Sequence, residues 1–327
     1  MKPKVAAAVL SALALSTAVH AAQKSAPESA AQYPSRPIRV IVPQAPGGSN
    51  DFMARYIGGM LSERLGKPVV IDNRPGAGGM IGTDTVAKAN PDGYTLLMAS
   101  TAFAMNPAAM KKLPYDSIKD FDWVATFAKA PVVIIVGPAA PVKSLQELLD
   151  LARSKPNYIT IASATGGFNH FVSEMFRSQA GIKAEIALYK GGAPALIDVV
   201  SGQAHMSVQP IPTAGPHLRS GKVKALAVSS PKRVSAMPDV PTATEAGLPY
   251  QAEIWWAWAT TAGTPDPLIN KLNTEIAAIL QSPETAKRLA AEAAEVFIGK
   301  PAEIRKMIVA EIAKWDKVAR DAGMPKQ

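Results

Sequence analysis

The chain of 327 residues contains no cysteine. Disulfides, thiol nucleophiles and cysteine-ligated metals are therefore all excluded. Histidine is scarce, at four, and the three beyond the N-terminal segment (His170, His205 and His217) fall in separate elements without a metal-binding spacing. No Gly-x-Ser-x-Gly nucleophile turn and no lysine-bearing phosphate loop is present. Aromatic residues make up 6% of the chain, and no dense basic block interleaves with them. The formal charge of +9 is spread out, as in Lys111-Lys112 and Lys232-Arg233, which argues against nucleic acid and for a mild attraction to anions. Only one long apolar run exists, Val5 to Leu15. Lys2 and Lys4 precede it, and the small residues Val19 and Ala21 follow, two positions apart. That is the layout of a cleaved secretory leader over residues 1–21, and the run is too short for a span of about 20 residues. Residues 22–34 read as a flexible lead-in.

The remaining 300 or so residues suit two domains, and 48% hydrophobic content is enough to build their cores. Strand and helix patterns alternate. Ile38–Val42, Val69–Ile71 and Tyr94–Met98 read as strands. Between them, Met53, Ile57, Leu61 and Leu65 recur at helical spacing, and a helix runs from the Gly76–Gly79 turn to Val86. This βαβαβ order predicts a parallel sheet covered by helices. A second unit offers strands at Val132–Val136, Tyr158–Ala162, Glu185–Tyr189, His205–Val208 and Ala225–Val228. Its helices lie near Asn169–Gln179 and Ala193–Ser201. A capping box, Ser144 with Glu147, opens a further helix. The C-terminal part is helical over Asp266–Gln281, Glu284–Ala291 and Ala302–Ala319. Its apolar faces need cover, most economically the first sheet. The expectation is an α/β protein of two lobes, each a mostly parallel sheet flanked by helices. Residues 35–130 with 255–327 form a discontinuous first domain and 131–254 the second, with hinges near Ala130 and Ile254.

In such sheets a ligand sits beyond the carboxyl ends of the strands. Several segments have that position. The turn Gly47, Gly48, Ser49, Asn50, Asp51 opens a helix, where glycines permit close approach and unpaired N–H groups favour an anion. Read alone, it is equally an ordinary turn with Asp51 in the first helical turn. The Gly76–Gly79 turn fails the dinucleotide fingerprint, because Ile81 stands at the third glycine position, and it reads as a packing turn. Ser100, Thr101 and Phe103 follow a strand. Thr165 offers a hydroxyl, Gly166 and Gly167 offer amides, and Phe168 offers a ring. His170 reads as a helix-start residue rather than a base. Lys190, Gly191, Gly192 and Ala193 repeat the strand-to-helix turn, and Gln209 ends another strand. Of Trp255 and Trp256 at the hinge, one ring suits the core and one the cleft. No cofactor or metal is expected.

The stretches YPSRPIRVIVPQAPGGSNDFMAR and VIDNRPGAGGMIGTDTVAKANPDGYTLLMAS, with three later blocks in order, resemble the periplasmic receptors of the tripartite tricarboxylate transport family, often called Bug-type proteins. The likeness runs from about Tyr33 to Gly323. It implies a Venus-flytrap receptor in the periplasm that delivers a carboxylate to a membrane permease. Some relatives act in sensing instead, and an exported hydrolase is the reading from another class. The family's ligand loops correspond to Gly47–Asp51, Ser100–Phe103, Thr165–His170 and Lys190–Ala193. Two departures stand out: Gly167 where a hydroxyl residue is common, and Gln209 where many relatives carry Asp. Losing an acid and gaining the Phe168 ring tilts the expected ligand away from an amino acid. It points toward a di- or monocarboxylate, including aromatic acids. The expected state is a monomer.

Overall fold

Short β-branched runs bounded by proline and glycine build the first sheet. In the computed structural model, which describes residues 28–327 apart from 166, 322, 325 and 327, β1 is Ile38–Val42, with four of its five residues buried. The Gly47–Gly48 turn leads to α1 (Ser49–Leu65), which buries Met53, Ile57 and Leu61 and closes on Gly66 at φ 61°. Then come β2 (Val69–Asn73), α2 (Met80–Ala87), β3 (Thr95–Ser100) and α3 (Thr101–Ala109). Strand β4 (Phe121–Val136) is 16 residues long. The second unit follows as α4 (Leu145–Ser154), β5 (Thr160–Ala164), α5 (Gly167–Gln179), β6 (Glu185–Tyr189), α6 (Gly192–Ser201), β7 (Met206–Pro210), α7 (Ile211–Arg219) and β8 (Lys224–Val228). The chain ends with β9 (Glu253–Thr261), α8 (Asp266–Leu280), α9 (Pro283–Ala290), β10 (Glu295–Val296) and α10 (Pro301–Asp321).

The strands run in the order β2-β1-β3-β9-β4-β7-β5-β6, with β8 and β10 also on β4. Pairings β1–β2, β1–β3, β5–β6 and β5–β7 are parallel, as the βαβ pattern requires. Those made by β4 and β9 are antiparallel. The expected mostly parallel sheets are thus mixed, because the two strands that join the lobes run against their neighbours. Strand β4 belongs to both sheets. As far as Pro131, which faces Glu253, it pairs with β9, and from Val132 it pairs with β7 and β8.

At that crossing the buried Ser229 bridges both inter-lobe segments. Its hydroxyl accepts from the Val132 N–H at 2.9 Å and donates to the Ala252 carbonyl at 2.5 Å. The C-terminal helices return to the first sheet, as their apolar faces require. Leu268, Leu272 and Ile276 of α8 and Ile304 and Ile308 of α10 are buried, and both helices lie on β4. Trp315 of α10 continues to Phe171 of α5, edge to face at 6.3 Å, so one apolar core runs through both lobes.

Local signals behave as their chemistry directs, with two adjustments. Ser144 caps α4 by accepting from the Glu147 N–H at 3.2 Å. Glu147 reaches back one residue further than expected, to the Lys143 N–H at 2.7 Å. The leader 1–21 lies outside the described residues. The lead-in 22–34 is seated from Glu28 onward rather than flexible. Tyr33 is buried, its hydroxyl donates to the Gly93 carbonyl at 2.6 Å, and Lys271 donates to the carbonyls of Ala30 and Tyr33. Among the described residues no helix is long and apolar enough to cross a membrane.

Candidate functional site

Strands β1, β2, β3, β5, β6 and β7 all end at one cleft, and each leads into a helix there. The starts of six helices consequently border a single cavity of about 660 Å³. From the first lobe come Gly48, Ser49 and Asn50 at the start of α1, Gly79 before α2, and Ser100 and Ala102 at the start of α3. The second lobe adds Phe168 and Asn169 of α5, Gly191, Gly192 and Ala193 at α6, and Thr213 in the first turn of α7. Each start carries N–H groups without a partner inside its helix and the positive end of the helix dipole. Among the described residues the only charged side chain in the lining is Lys190, which makes no ion pair there. Among the described residues no carboxylate lines the cavity. The arrangement is a cage of donors for an anion. Gln44 and Thr165 add polar side chains, and the remaining walls are apolar, made by Pro43, Ala45, Ala77, Ala164, Phe168 and Ile254.

A family model described as the tripartite tricarboxylate transporter family receptor matches residues 53–324. The chain belongs to this family. Protein BugT of Bordetella pertussis is 38% identical over 303 residues, covering 91% of this chain and 93% of BugT. Among solved structures, R. palustris Rpa4515 with adipate superposes with a TM-score of 0.87 at 33% identity, covering 90% of this chain and all of that one. MatC from Rhodopseudomonas palustris with bound malate gives 0.83 at 33% identity, covering 88% and 99%.

Within the receptor, the side chain of Asn50 is fully committed. Its Nδ2 donates to Ser100 Oγ at 3.1 Å and to Gln44 Oε1, while its Oδ1 accepts from Trp256 Nε1 at 2.9 Å. Ser100, having accepted, keeps its own proton to donate. The Ser49 N–H donates across the cleft to Thr213 Oγ1 at 3.0 Å, and the Ser49 hydroxyl has no partner among the described residues. Thr165 donates its N–H to the Tyr189 carbonyl at 2.6 Å, which leaves its hydroxyl free in the same sense. The lobes meet at small residues. A Cβ on Gly191 would stand 3.6 Å from the Ala45 Cβ, and one on Gly47 3.9 Å from that of Ala193.

Of the expected site residues, Gly48, Ser49, Asn50, Ser100, Thr165, Phe168, Lys190, Gly191 and Ala193 line the cavity. Gly166 lies outside the described residues. Gly167 begins α5. Seven others are placed elsewhere. Gly47 donates its N–H to Asp51 Oδ2 at 3.0 Å, and Asp51 is clamped by Arg55 at 2.9 Å, so both brace the turn from behind. Thr101 turns its hydroxyl away from the cleft to accept the Trp255 N–H at 2.9 Å. Phe103 joins a core cluster with Tyr115, Phe121 and Trp123. His170 stands beside Glu174 at 3.8 Å, not on a backbone group. Burial lowers its pKa, against the pull of Glu174. Gln209 is buried behind Asn169 and faces no ligand space. Trp256 is fully buried beneath Asn50, and Trp255 is also buried, with its Nε1 donating to Glu311 at 3.2 Å.

Sequence reasoning missed the turn at residues 75–79, Thr213 and Ile254 as lining, and it placed Asn169 in the Thr165–His170 loop without singling it out. The turn also packs tightly, as expected. A Cβ on Gly82 would stand 2.9 Å from the Arg74 carbonyl oxygen, and one on Gly79, at φ 92°, 3.3 Å from that of Pro43. Its three glycines at positive φ were the signal that the backbone, rather than side chains, faces something there.

The buried brace at Asp51 makes a pH prediction. Burial alone would raise its pKa, but Arg55, the Gly47 N–H and Asn73 outweigh it and hold the carboxyl below its ordinary value of 3.8. A carboxyl depressed on folding contributes stability that is present above 3.8 and lost as pH falls through the folded value. Asp51→Asn is expected to cost about 1 kcal/mol at pH 7 and less at pH 3. Thermal melts across that range check this. A cost that stays constant with pH would refute it.

Proposed function

We propose that this receptor captures a small carboxylate between its two lobes in the periplasm and passes it to the membrane subunits of a tripartite transporter. The observation that carries the reading is the cavity lining, in which six helix starts and one unpaired lysine converge with no acid among them. The adipate and malate held by two relatives of the same fold support the same class of ligand. The lobes correspond to residues 35–130 with 255–327 and to 131–254, and they close about Ala130 and Ile254. In the first lobe one carboxylate rests on the N–H groups of α1 and the Ser49 hydroxyl, framed by Asn50 and braced by Asp51. In the second, Thr165, Lys190 and the Gly191–Ala193 turn meet the other end, and Phe168 covers the ligand body. Hydrogen bonds to a charged acceptor contribute about 1.5–3 kcal/mol each, so a few suffice for micromolar binding. The mature protein works as a monomer, without a metal or cofactor, as a binding protein rather than an enzyme.

A thermal-shift screen over mono-, di- and aromatic carboxylates tests this. A ligand present at about one hundred times its Kd adds roughly 2.7 kcal/mol, a rise of several degrees. Stabilisation by amines or neutral sugars, with none by any carboxylate, would overturn the reading.

A further inference from the structure

Gln209 and Asn169 form a hydrogen-bond relay whose direction is set at both ends by groups that can only accept. Gln209 Nε2 donates to the Gly192 carbonyl at 3.2 Å and to Ser207 Oγ at 2.8 Å. Ser207 can accept there because its own proton goes to the Ala162 carbonyl at 2.6 Å. Both Nε2 hydrogens are thereby used, and Gln209 Oε1 faces Asn169. Asn169 Nδ2 then donates to Gln209 Oε1 at 2.9 Å and to the Val208 carbonyl at 3.2 Å. A carbonyl cannot donate, so neither amide can turn over without losing bonds. Asn169 has spent both its hydrogens, its Oδ1 has no partner among the described residues, and the residue lines the cavity.

In a lining rich in donors, where the amide oxygens of Gln44 and Asn50 already accept hydrogen bonds, this oxygen is an unpaired side-chain group that can only accept. Hydrocarbon placed against it would leave it desolvated and unpaired. A carboxylate there would be repelled. An ammonium group would meet Lys190 and the positive ends of the helices with no acid to balance it. We infer that Asn169 is a specificity residue, and that the preferred ligand is a carboxylate bearing a neutral hydroxyl that donates to Asn169 Oδ1. Gln209 acts as the positioning residue that turns that oxygen outward. The inference rests on the carboxylate reading above and names a second group on the same ligand.

Titration calorimetry on matched ligands tests it: succinate, both enantiomers of malate, and aspartate, then benzoate and 4-hydroxybenzoate. In at least one set the hydroxylated member should bind about tenfold more tightly than its deoxy partner, the effect of one neutral hydrogen bond, and aspartate should be the weakest of its set. In Asn169→Ala the hydroxyl preference should fall to within about twofold. Deoxy members that bind as tightly as hydroxylated ones in both sets, or a preference that survives Asn169→Ala, would overturn this inference alone. Binding by no carboxylate would overturn the carboxylate reading and this one with it. The wild-type ranking decides the case if the variant does not fold.

Discussion

Gly48→Val is expected to lower carboxylate affinity by roughly a hundredfold while leaving the melting temperature nearly unchanged, the loss of one or two charge-assisted hydrogen bonds at about 1.5–3 kcal/mol each. Gly48 sits at φ −84° and ψ 173°, backbone that valine adopts readily. A Cβ there would meet nothing nearer than the Ala45 carbonyl oxygen at 3.9 Å, an ordinary contact. The fold therefore has room for the added methyls, but that room is the cavity itself, at the start of α1. An anion pushed outward loses the N–H groups that would cradle it. The comparison is Arg74→Ala. Arg74 pairs with Asp72 at 3.1 Å and does not line the cavity. Its loss should change affinity by no more than about twofold, as for a surface ion pair. Calorimetry on both variants decides between a backbone cradle and a side-chain clamp. If Arg74→Ala abolishes binding and Gly48→Val does not, the cradle is wrong.

Trp256→Ala should be the most damaging single change to stability, costing about 3–5 kcal/mol. The ring is fully buried at the middle of the first sheet, where Trp256 faces Ser100 of β3 on one side and Ala128 of β4 on the other. Deleting it leaves a void at the join of three strands. Trp256→Phe separates packing from hydrogen bonding. It keeps most of the apolar volume but removes the donor to Asn50 Oδ1, leaving a buried acceptor unpaired at a cost of about 1–3 kcal/mol. Asn50 would then lose the bond that orients it against Ser100 and Gln44. Ligand affinity should fall in the phenylalanine variant even where the fold persists. Urea unfolding gives the stability terms. An alanine variant within 1 kcal/mol of wild type would show that the ring is not a keystone.

The elements that were legible in the sequence are those whose residue types point one way. Ile38–Val42 and Glu185–Tyr189 form strands with the bounds their pattern suggests, because apolar or β-branched runs end at proline or at Lys190-Gly191. The helix Thr101–Ala109 escaped notice. Nearly all of it is buried, so no polar face marks a period, and Pro107 sits inside it. Ile211–Arg219 carries prolines at 212 and 216, which mimic a loop. The first part of β4 is interrupted by Asp122, Ala125 and Lys129 and reads as no strand at all. For the site, a glycine turn at a strand end is a local feature and was found. Whether Thr101 or Phe103 looks into the cleft depends on which helix face meets β9 and the aromatic cluster, and that is set by contacts far along the chain. The outward oxygen of Asn169 depends on Gln209, which no local pattern links to it.

The crossing between the lobes has a mechanical consequence. An antiparallel ladder resists bending because its rungs join two stiff peptide planes. Pro131, which faces Glu253 where β4 changes sheets, has no amide hydrogen to donate. The next connection, from Val132 to Ala252, runs through the hydroxyl of Ser229. On the Val132 side the Ser229 N–H adds a backbone bond to the Val132 carbonyl at 2.9 Å, while the Ala252 side is held by the hydroxyl oxygen on its rotatable side-chain bond. A rotation of one lobe against the other would have to swivel this atom and also shear the apolar core that runs from Trp315 to Phe171 through both lobes. The joint is therefore braced by packing as much as by its hydrogen bonds.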